Sequence, residues 1–293
     1  STSKGNKTTG VIPFMHVVDS QMVAFNQGAT RRGSYASYMD VSHPEIIEFI
    51  EMRKPTGGDI NRKNLNLHHG INIPDKFMRA VEDDKDWDLI DPNSKQKVKT
   101  LKARSIWIKI LEARMTTGEP YLMFIDTVNR GLPKELKDKG LKVNHSNLCS
   151  EITLPTSEDR TAVCCLSSLN LEYFDEWSKD ETFIEDIVRM LDNTLTDFIK
   201  KAPDNMWRAV NSAKSERSIG LGAMGFHSHL QRNGIALQSP MSMGPNIKIF
   251  KHIKKKCDEA NLLLGKERGE APDLNGTGKR FSHMTAIAPN ASS

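Results

Sequence analysis

Asn147-Leu148-Cys149-Ser150-Glu151-Ile152-Thr153-Leu154-Pro155 is the stretch on which the reading of this chain turns. Taken as extended backbone, it puts side chains i, i+2 and i+4 on one face, each roughly 6.5–7 Å from the next. That face carries the Asn147 amide, the Cys149 thiol and the Glu151 carboxylate, while Leu148 and Ser150 take the other. An amide can hold hydroxyls, a carboxylate can take a proton, and a thiol can act as nucleophile or radical carrier. Set just before an apolar strand, the three form a compact site for sugar or acyl chemistry. Residue type alone leaves a second reading open, a buried structural cysteine between polar loop residues.

The rest of the chain bounds this site. Its 293 residues allow one large domain or two ordinary ones. With 38% hydrophobic and 27% charged residues, it reads as a soluble globular chain and not a disordered one. No apolar run approaches the roughly 18 residues of a membrane span. A net charge of +4 is too small and dispersed to argue for nucleic acid. The four cysteines, Cys149, Cys164, Cys165 and Cys257, make no C-x-x-C pair, so no metal site is expected. The N-terminal residues are polar and carry no export signal, so the cytoplasm, with its reducing poise, is the expected compartment. Ser1 in place of Met, and an end at Ser293 within a loop, lead to the expectation of a fragment.

Taken in order, residues 1–12 read as a loop in which Lys4-Gly5 and Thr9-Gly10 can approach phosphate. Pro13 opens a helix with Phe14, Val17, Val18, Met22 and Phe25 on one stripe. Asn26 to Ser34 is a loop with the pair Arg31-Arg32. Tyr35 to Val41 reads as a strand, and Ser42-His43-Pro44-Glu45 has the form of a capping box before a helix over Ile46 to Met52. Asn64 to Ile73 alternates as a strand whose His68 and His69 face opposite ways and so hydrogen-bond rather than chelate. Asp75 to Val81 is a short helix, and Asp83 to Asp91 a surface hairpin or loop. Ala103 to Met115 is an amphipathic helix with Ile106, Trp107, Ile110 and Leu111 inward and Gly118 at its C′ position. Tyr121 to Ile125 is a buried parallel strand, and Lys134 to Lys142 looks charged and mobile.

Beyond the central stretch, Thr161 to Leu171 reads as a strand bearing Cys164, with Cys165 on its opposite face. Phe183 to Ile199 is the strongest helical pattern. Gly220-Leu221-Gly222-Ala223-Met224-Gly225 matches G-x-G-x-x-G, but no strand fits Asn211 to Arg217 and no acid occurs between Gly225 and Asp258. A dinucleotide site needs both. These glycines are expected instead to allow close packing where a short strand meets a helix at Phe226. A helix over Ile247 to Leu264 and a short strand over Met284 to Ala288 complete the pattern. Alternating strands and helices give an α/β fold.

Several blocks, in order, resemble one family. Ser146-Asn147-Leu148-Cys149-Ser150-Glu151-Ile152 resembles the finger loop of the class I ribonucleotide reductase large subunit. Ala162-Val163-Cys164-Cys165-Leu166 resembles that family's strand bearing a reducing cysteine. Gln27-Gly28-Ala29-Thr30-Arg31-Arg32-Gly33 resembles its substrate-specificity loop, and Asp40 to Glu45 the segment after it. Met284 to Ser293 resembles its substrate-phosphate loop.

The resemblance implies that residues 1–293 are part of a ten-stranded α/β barrel of two five-stranded halves, with the radical cysteine on a central finger loop. It implies Cys149 as thiyl carrier, Glu151 as base for the 3′-hydroxyl, Asn147 as orienter of the ribose, and Cys164 as one of two redox-active cysteines. Ser1, Pro289, Asn290, Ala291, Ser292 and Ser293 would bind substrate; Gln27, Gly28, Arg31 and Arg32 would form the specificity loop, and Lys4 would contact effector. The substrate implied is a ribonucleoside diphosphate, reduced to supply deoxyribonucleotides for DNA synthesis. The chain itself would bind no cofactor: the radical would come from a metal-containing small (beta) subunit. ATP and dNTPs would act as effectors, and thioredoxin or glutaredoxin as reductant through a tail absent here. The missing N- and C-terminal parts of the subunit would be further partners, neither nucleic acid nor a membrane would be one, and the isolated fragment would be inactive. Two alternatives stay open: a cobalamin-dependent reductase, and a non-catalytic assembly piece of a split subunit.

Overall fold

The computed structural model describes residues 8–27 and 31–290, which fall into two units, Ser1–Gly131 and Leu132–Ser293. In the first, helix α1 (Ile12–Ala24) begins on Pro13, whose fixed φ and missing N–H suit a first turn. The backbones of β1 (Asn26–Gln27) and β2 (Arg31–Arg32) pair antiparallel. Next come β3 (Ala36–Asp40), α2 (Ile46–Glu51), β4 (His68–Asn72) and α3 (Asp75–Glu82). A hairpin of β5 (Asp86–Ile90) and β6 (Lys97–Lys102) leads to α4 (Ala103–Thr117), β7 (Tyr121–Met123) and α5 (Ile125–Gly131). β3, β4 and β7 form a parallel sheet, with Ala36 opposite His68 and Gly70 opposite Tyr121. Parallel neighbours need crossovers, and the intervening helices supply them.

The core of this unit joins Phe49, Ile71, Phe77, Ile106 and Ile110, all fully buried. Each such side chain stabilises the fold by roughly 1.5–3 kcal/mol. His68 and His69 hydrogen-bond, as expected, and share one acceptor. Glu119 takes both: His69 Nδ1 lies 3.1 Å from one carboxylate oxygen and His68 Nδ1 contacts the other. Burial, the largest influence, pushes the Glu119 pKa up, but the two histidines and Arg53 outweigh it and hold it at about 2. Among the described residues, no group of three or more His, Cys, Asp or Glu could hold a metal ion.

Four expectations for this unit need correction. The capping box does not form: the Glu45 carboxylate instead accepts from the Val11 N–H at 2.7 Å, and α2 has no side-chain cap. The α1 stripe is turned to solvent at Phe14, Val17 and Phe25, while Asp19 points in and accepts from the N–H groups of Asn66 and Leu67. In α4, Ala113 takes the inward place expected for Leu111, which is exposed. The strand bearing the two histidines starts only at His68, because a short 3₁₀ turn at Ile60–Arg62 and irregular backbone precede it. Gly118 does close α4 in the left-handed conformation that favours glycine.

The second unit runs α6 (Lys134–Asp138), β8 (Leu166–Asn170), α7 (Phe174–Trp177), α8 (Phe183–Lys201) and α9 (Trp207–Glu216). β9 (Gly220–Met224), α10 (Phe226–Arg232) and α11 (Met243–Arg268) follow. β8 and β9 pair in parallel, Leu166 opposite Gly220, and Thr285 adds a parallel bridge to Leu221. The expected final strand is thus a single bridge. The segment expected to be mobile contains α6, pinned by fully buried Leu136.

α8 buries Ile184, Val188, Leu191 and Leu195 at helical spacing. Asp192 is buried on the same helix, and Arg217, Arg268 and Arg280 all reach its carboxylate. The G-x-G-x-x-G run packs as expected, with α9 rather than a strand before it. A Cβ at Gly222 would lie 2.6 Å from the Ala286 carbonyl oxygen, and one at Gly220 2.4 Å from Leu166 Cδ2. The missing side chains let the 285–287 backbone lie directly on β9. Among the described residues, no helix is long and apolar enough to cross a membrane.

Candidate active site at the finger loop

Residues 147–152 form a closed turn and not an extended run. The Ser150 N–H donates to the Asn147 carbonyl at 3.2 Å, and the Ile152 N–H donates to Asn147 Oδ1 at 3.0 Å. The buried Ser146 hydroxyl donates to the Ile152 carbonyl at 2.8 Å, closing the neck. Ser150 adopts φ 68°, the left-handed conformation that turns the chain back. Ile152 and Leu154 are buried and anchor the loop, leaving Cys149 and Ser150 exposed at its tip.

This turn brings together what an extended chain would hold apart. Over four residues a strand separates side chains by roughly 13 Å. Here Asn147 Nδ2 donates to Glu151 Oε2 at 2.7 Å. A paired amide and carboxylate thus stand in the turn whose tip exposes the Cys149 thiol, groups able to grip hydroxyls and remove a proton.

Cys164 lies just before β8, not within it as expected. Its partner in sequence faces the other way: Cys165 is buried and its thiol lies 3.5 Å from the Leu191 carbonyl. Partial burial raises the Cys164 pKa, and the Glu151 carboxylate and Cys149 add to the rise. Cys164 is thus a protonated thiol at neutral pH, within the electrostatic reach of both finger-loop groups. Cys257 is fully buried in α11, with burial pushing its thiol up to about 11.

Glu151 and Cys164 line a small open cleft of about 60 Å³ with Ser218, Gly220, His283 and Thr285. A second cleft, past the loop, joins Asn147 and Cys164 with Arg160. Asn290 Nδ2 donates to the Ala223 carbonyl at 2.9 Å, which ties the 285–290 segment to the end of β9. Pro289 is exposed beside it. Ser1, Lys4, Gly28, Ala291, Ser292 and Ser293 lie outside the described residues, as do the side chains of Gln27 and Arg31; Arg32 is exposed. Residue patterns had not singled out Ser146, Ser218, Glu216 or His283, because none stands in a recognisable spacing to the thiol.

Residues 2–278 match the family model described as the ribonucleotide reductase barrel domain. The chain belongs to the ribonucleotide reductase family. Its α/β fold is therefore that of the reductase barrel. It is 56% identical over 98% of its length to a chain of Frog virus 3 (isolate Goorha) assigned as a ribonucleoside-diphosphate reductase large subunit, covering 51% of that chain. It is 46% identical to the ribonucleoside-diphosphate reductase large subunit of Invertebrate iridescent virus 3, covering 98% of this chain and 54% of that one. Among solved structures, the Actinobacillus ureae class Id ribonucleotide reductase alpha subunit matches with TM-score 0.82 at 34% identity, over 97% of this chain and 50% of that one. The reductase barrel chain spans about half the length of these relatives.

Proposed function

We propose that residues 1–293 act as barrel-domain sequence of a ribonucleoside-diphosphate reductase large subunit, producing deoxyribonucleotides for DNA synthesis. The observation that carries this is the 2.7 Å amide–carboxylate contact within the turn that exposes the Cys149 thiol, with Cys164 in a cleft shared with Glu151.

Replacing a 2′-hydroxyl by hydrogen on an unactivated ribose calls for radical chemistry. A metal-containing small subunit supplies the radical. Cys149, as a thiyl, takes the 3′-hydrogen to become S–H. Asn147 holds the ribose hydroxyls, Glu151 takes the 3′-hydroxyl proton, and a thiol of the reducing pair protonates the 2′-hydroxyl, which leaves as water. Cys164 and a second thiol give in all two electrons and two protons, one proton leaving in the water and one hydrogen entering C2′, and end as a disulfide while Glu151 returns its proton to the 3′-oxygen. Cys149 afterwards returns its hydrogen to C3′. The raised pKa of Cys164 suits this, because a hydrogen donor must keep its S–H.

The substrate's phosphates fall to the loop through Pro289, Asn290, Ala291, Ser292 and Ser293, with Ser1. Gln27, Gly28, Arg31 and Arg32 report the bound effector, ATP or a dNTP, for which Lys4 is a contact. The small subunit, the remainder of the large subunit and thioredoxin or glutaredoxin are the partners, in the cytoplasm. The class Id likeness at 34% identity favours this reading over a cobalamin-dependent one.

The test is deoxyribonucleoside diphosphate formation by the chain joined to the remainder of its subunit. Product is expected with a metal-loaded small subunit and a dithiol reductant. Product with adenosylcobalamin alone would instead indicate the cobalamin class, and none in either case a non-catalytic piece. Within that assay, Glu151→Gln is expected to lower kcat by about 10²–10⁴-fold, the range of a lost general base. KM should stay nearly unchanged, since the amide retains the contact to Asn147. Unaltered kcat would remove Glu151 from the chemistry.

A further inference from the structure

The chain that carries the finger loop is a hairpin crossed by rungs. Near its tip the Ser146 hydroxyl and the Asn147 N–H both donate to the Ile152 carbonyl, at 2.8 and 3.4 Å. Further down, Asn144 Nδ2 donates to the Thr156 carbonyl at 2.8 Å, and the Thr156 N–H donates to the Lys142 carbonyl at 3.2 Å. Carried on in the same register, the next positions to face each other are Lys139 and Arg160. Both reach one carboxylate from outside the hairpin, that of Asp273. Lys139 Nζ lies 3.1 Å from Oδ1, and Arg160 spans the group with Nη1 at 2.6 Å from Oδ2 and Nη2 at 3.2 Å from Oδ1.

Asp273 sits on a firm platform. It is 5% exposed, on the 3₁₀ turn Pro272–Leu274, and its neighbours Ala271 and Leu274 are buried. The Leu274 N–H closes the turn on the Ala271 carbonyl at 2.8 Å, and the Glu270 carboxylate accepts from the Gly278 N–H at 2.6 Å. Lys139 Nζ also donates to the Pro272 carbonyl at 3.0 Å. Lys279, beyond the turn, meets Glu135 of α6 at 3.0 Å.

Both thiols of the site hang on this base. Cys149 stands at the tip of the hairpin, and Cys164 follows Arg160 by four residues. Asn147, Arg160 and Cys164 line one cleft. Without the carboxylate, two cations would be left at the foot of the hairpin, and the Arg160 side chain is only 11% exposed. A cation left unpaired in so poorly solvated a place drives its surroundings apart.

We propose that Asp273 is a positioning residue for the reduction. By holding both flanks of the finger-loop hairpin at once, it sets where the Cys149 tip stands relative to Cys164. The inference rests on the reading above in taking these two thiols as the reacting ones. The Asp273 carboxylate is taken up by the two cations and acts only through the hairpin they belong to.

A nitroxide on Cys149 in the full chain reads the tip directly. In a Cys164→Ser background the remaining Cys165 and Cys257 are buried, so the label goes to the exposed thiol. Asp273→Asn keeps the size, removes the charge, and is expected to raise the label's mobility by about twofold or more. Lys139→Met cuts one flank at the more exposed end and should raise it by less; it carries the test alone should the first variant not fold. A second nitroxide, on Met190→Cys in α8 with Cys149 and Cys164 both replaced by serine, should report no change in either variant, since Met190 is exposed and belongs to another element. Unchanged mobility at Cys149 in the folded variants would overturn the proposal. So would an equal rise at both labels, which would mean general loosening.

In the completed enzyme, Asp273→Asn should lower kcat by about 10–100-fold with KM within about twofold, because misplaced reacting groups lose rate while the substrate keeps its own contacts. A raised KM at unaltered kcat would overturn the positioning role. The label needs no turnover. An enzyme that forms no product with Asp273 in place would therefore count against the proposed function, and the label would still decide on the clamp.

Discussion

Cys149→Ser is expected to lower deoxyribonucleotide formation by at least about a thousandfold, a barrier increase of about 4 kcal/mol. Serine is nearly the same size, and the loop is closed by Ser146, Asn147 and Ile152, not by the thiol. The tip is exposed, so no core is disturbed. The effect is chemical: an O–H bond is much stronger than S–H, so a serine cannot carry the radical that opens the reaction. Substrate affinity and the thermal midpoint should stay close to wild type. Turnover within tenfold of wild type would mean that the reaction does not pass through this sulfur.

The largest effect on stability is expected at Asp192. Its carboxylate is 1% exposed and receives Arg217 at 2.5 Å, Arg268 at 2.8 Å and Arg280 at 3.1 Å. Three cations converge on one anion, so removing the anion leaves uncompensated positive charge in a poorly solvated place. Asp192→Ala should cost about 3–5 kcal/mol, the range for breaking a buried pair. Urea unfolding followed by far-ultraviolet circular dichroism reads it, and a loss below about 1 kcal/mol would show that the arginines find other partners. Burial is the strongest single influence on the Asp192 carboxyl and raises its pKa, but the arginines together hold it below its ordinary 3.8. The contribution is therefore present above pH 3.8 and lost as pH falls through the lower folded value.

Local periodicity carried much of the fold. The α8 stripe, the opposite exposures of Cys164 and Cys165, and the left-handed close at Gly118 follow from spacing and residue type. The glycines at 220 and 222 were legible as close-packing positions because the flanking requirements of a dinucleotide site were missing. What escaped was non-local. Glu45 left its capping role for a backbone amide 34 residues away. Ala113 displaced Leu111 from the inner face of α4, which helical spacing alone could not choose.

Asn147, Cys149 and Glu151 were picked out by residue type, but the shape of the loop was not legible: the contact of Asn147 with Glu151 depends on a left-handed serine at position 150, which no glycine announces. The Ser218, Ser282 and His283 cluster gave no signal either, since it is assembled by pairing between the β9 region and a segment more than 60 residues on.

The most direct measurement of the central claim is where hydrogen enters the sugar. Thiol hydrogens exchange with solvent, so reduction in deuterium oxide by the completed enzyme should place one deuterium at C2′ of the product, read by mass spectrometry. Product formed without deuterium at C2′ would show that thiols such as Cys164 are not the source of the reducing hydrogen, and would contradict the account.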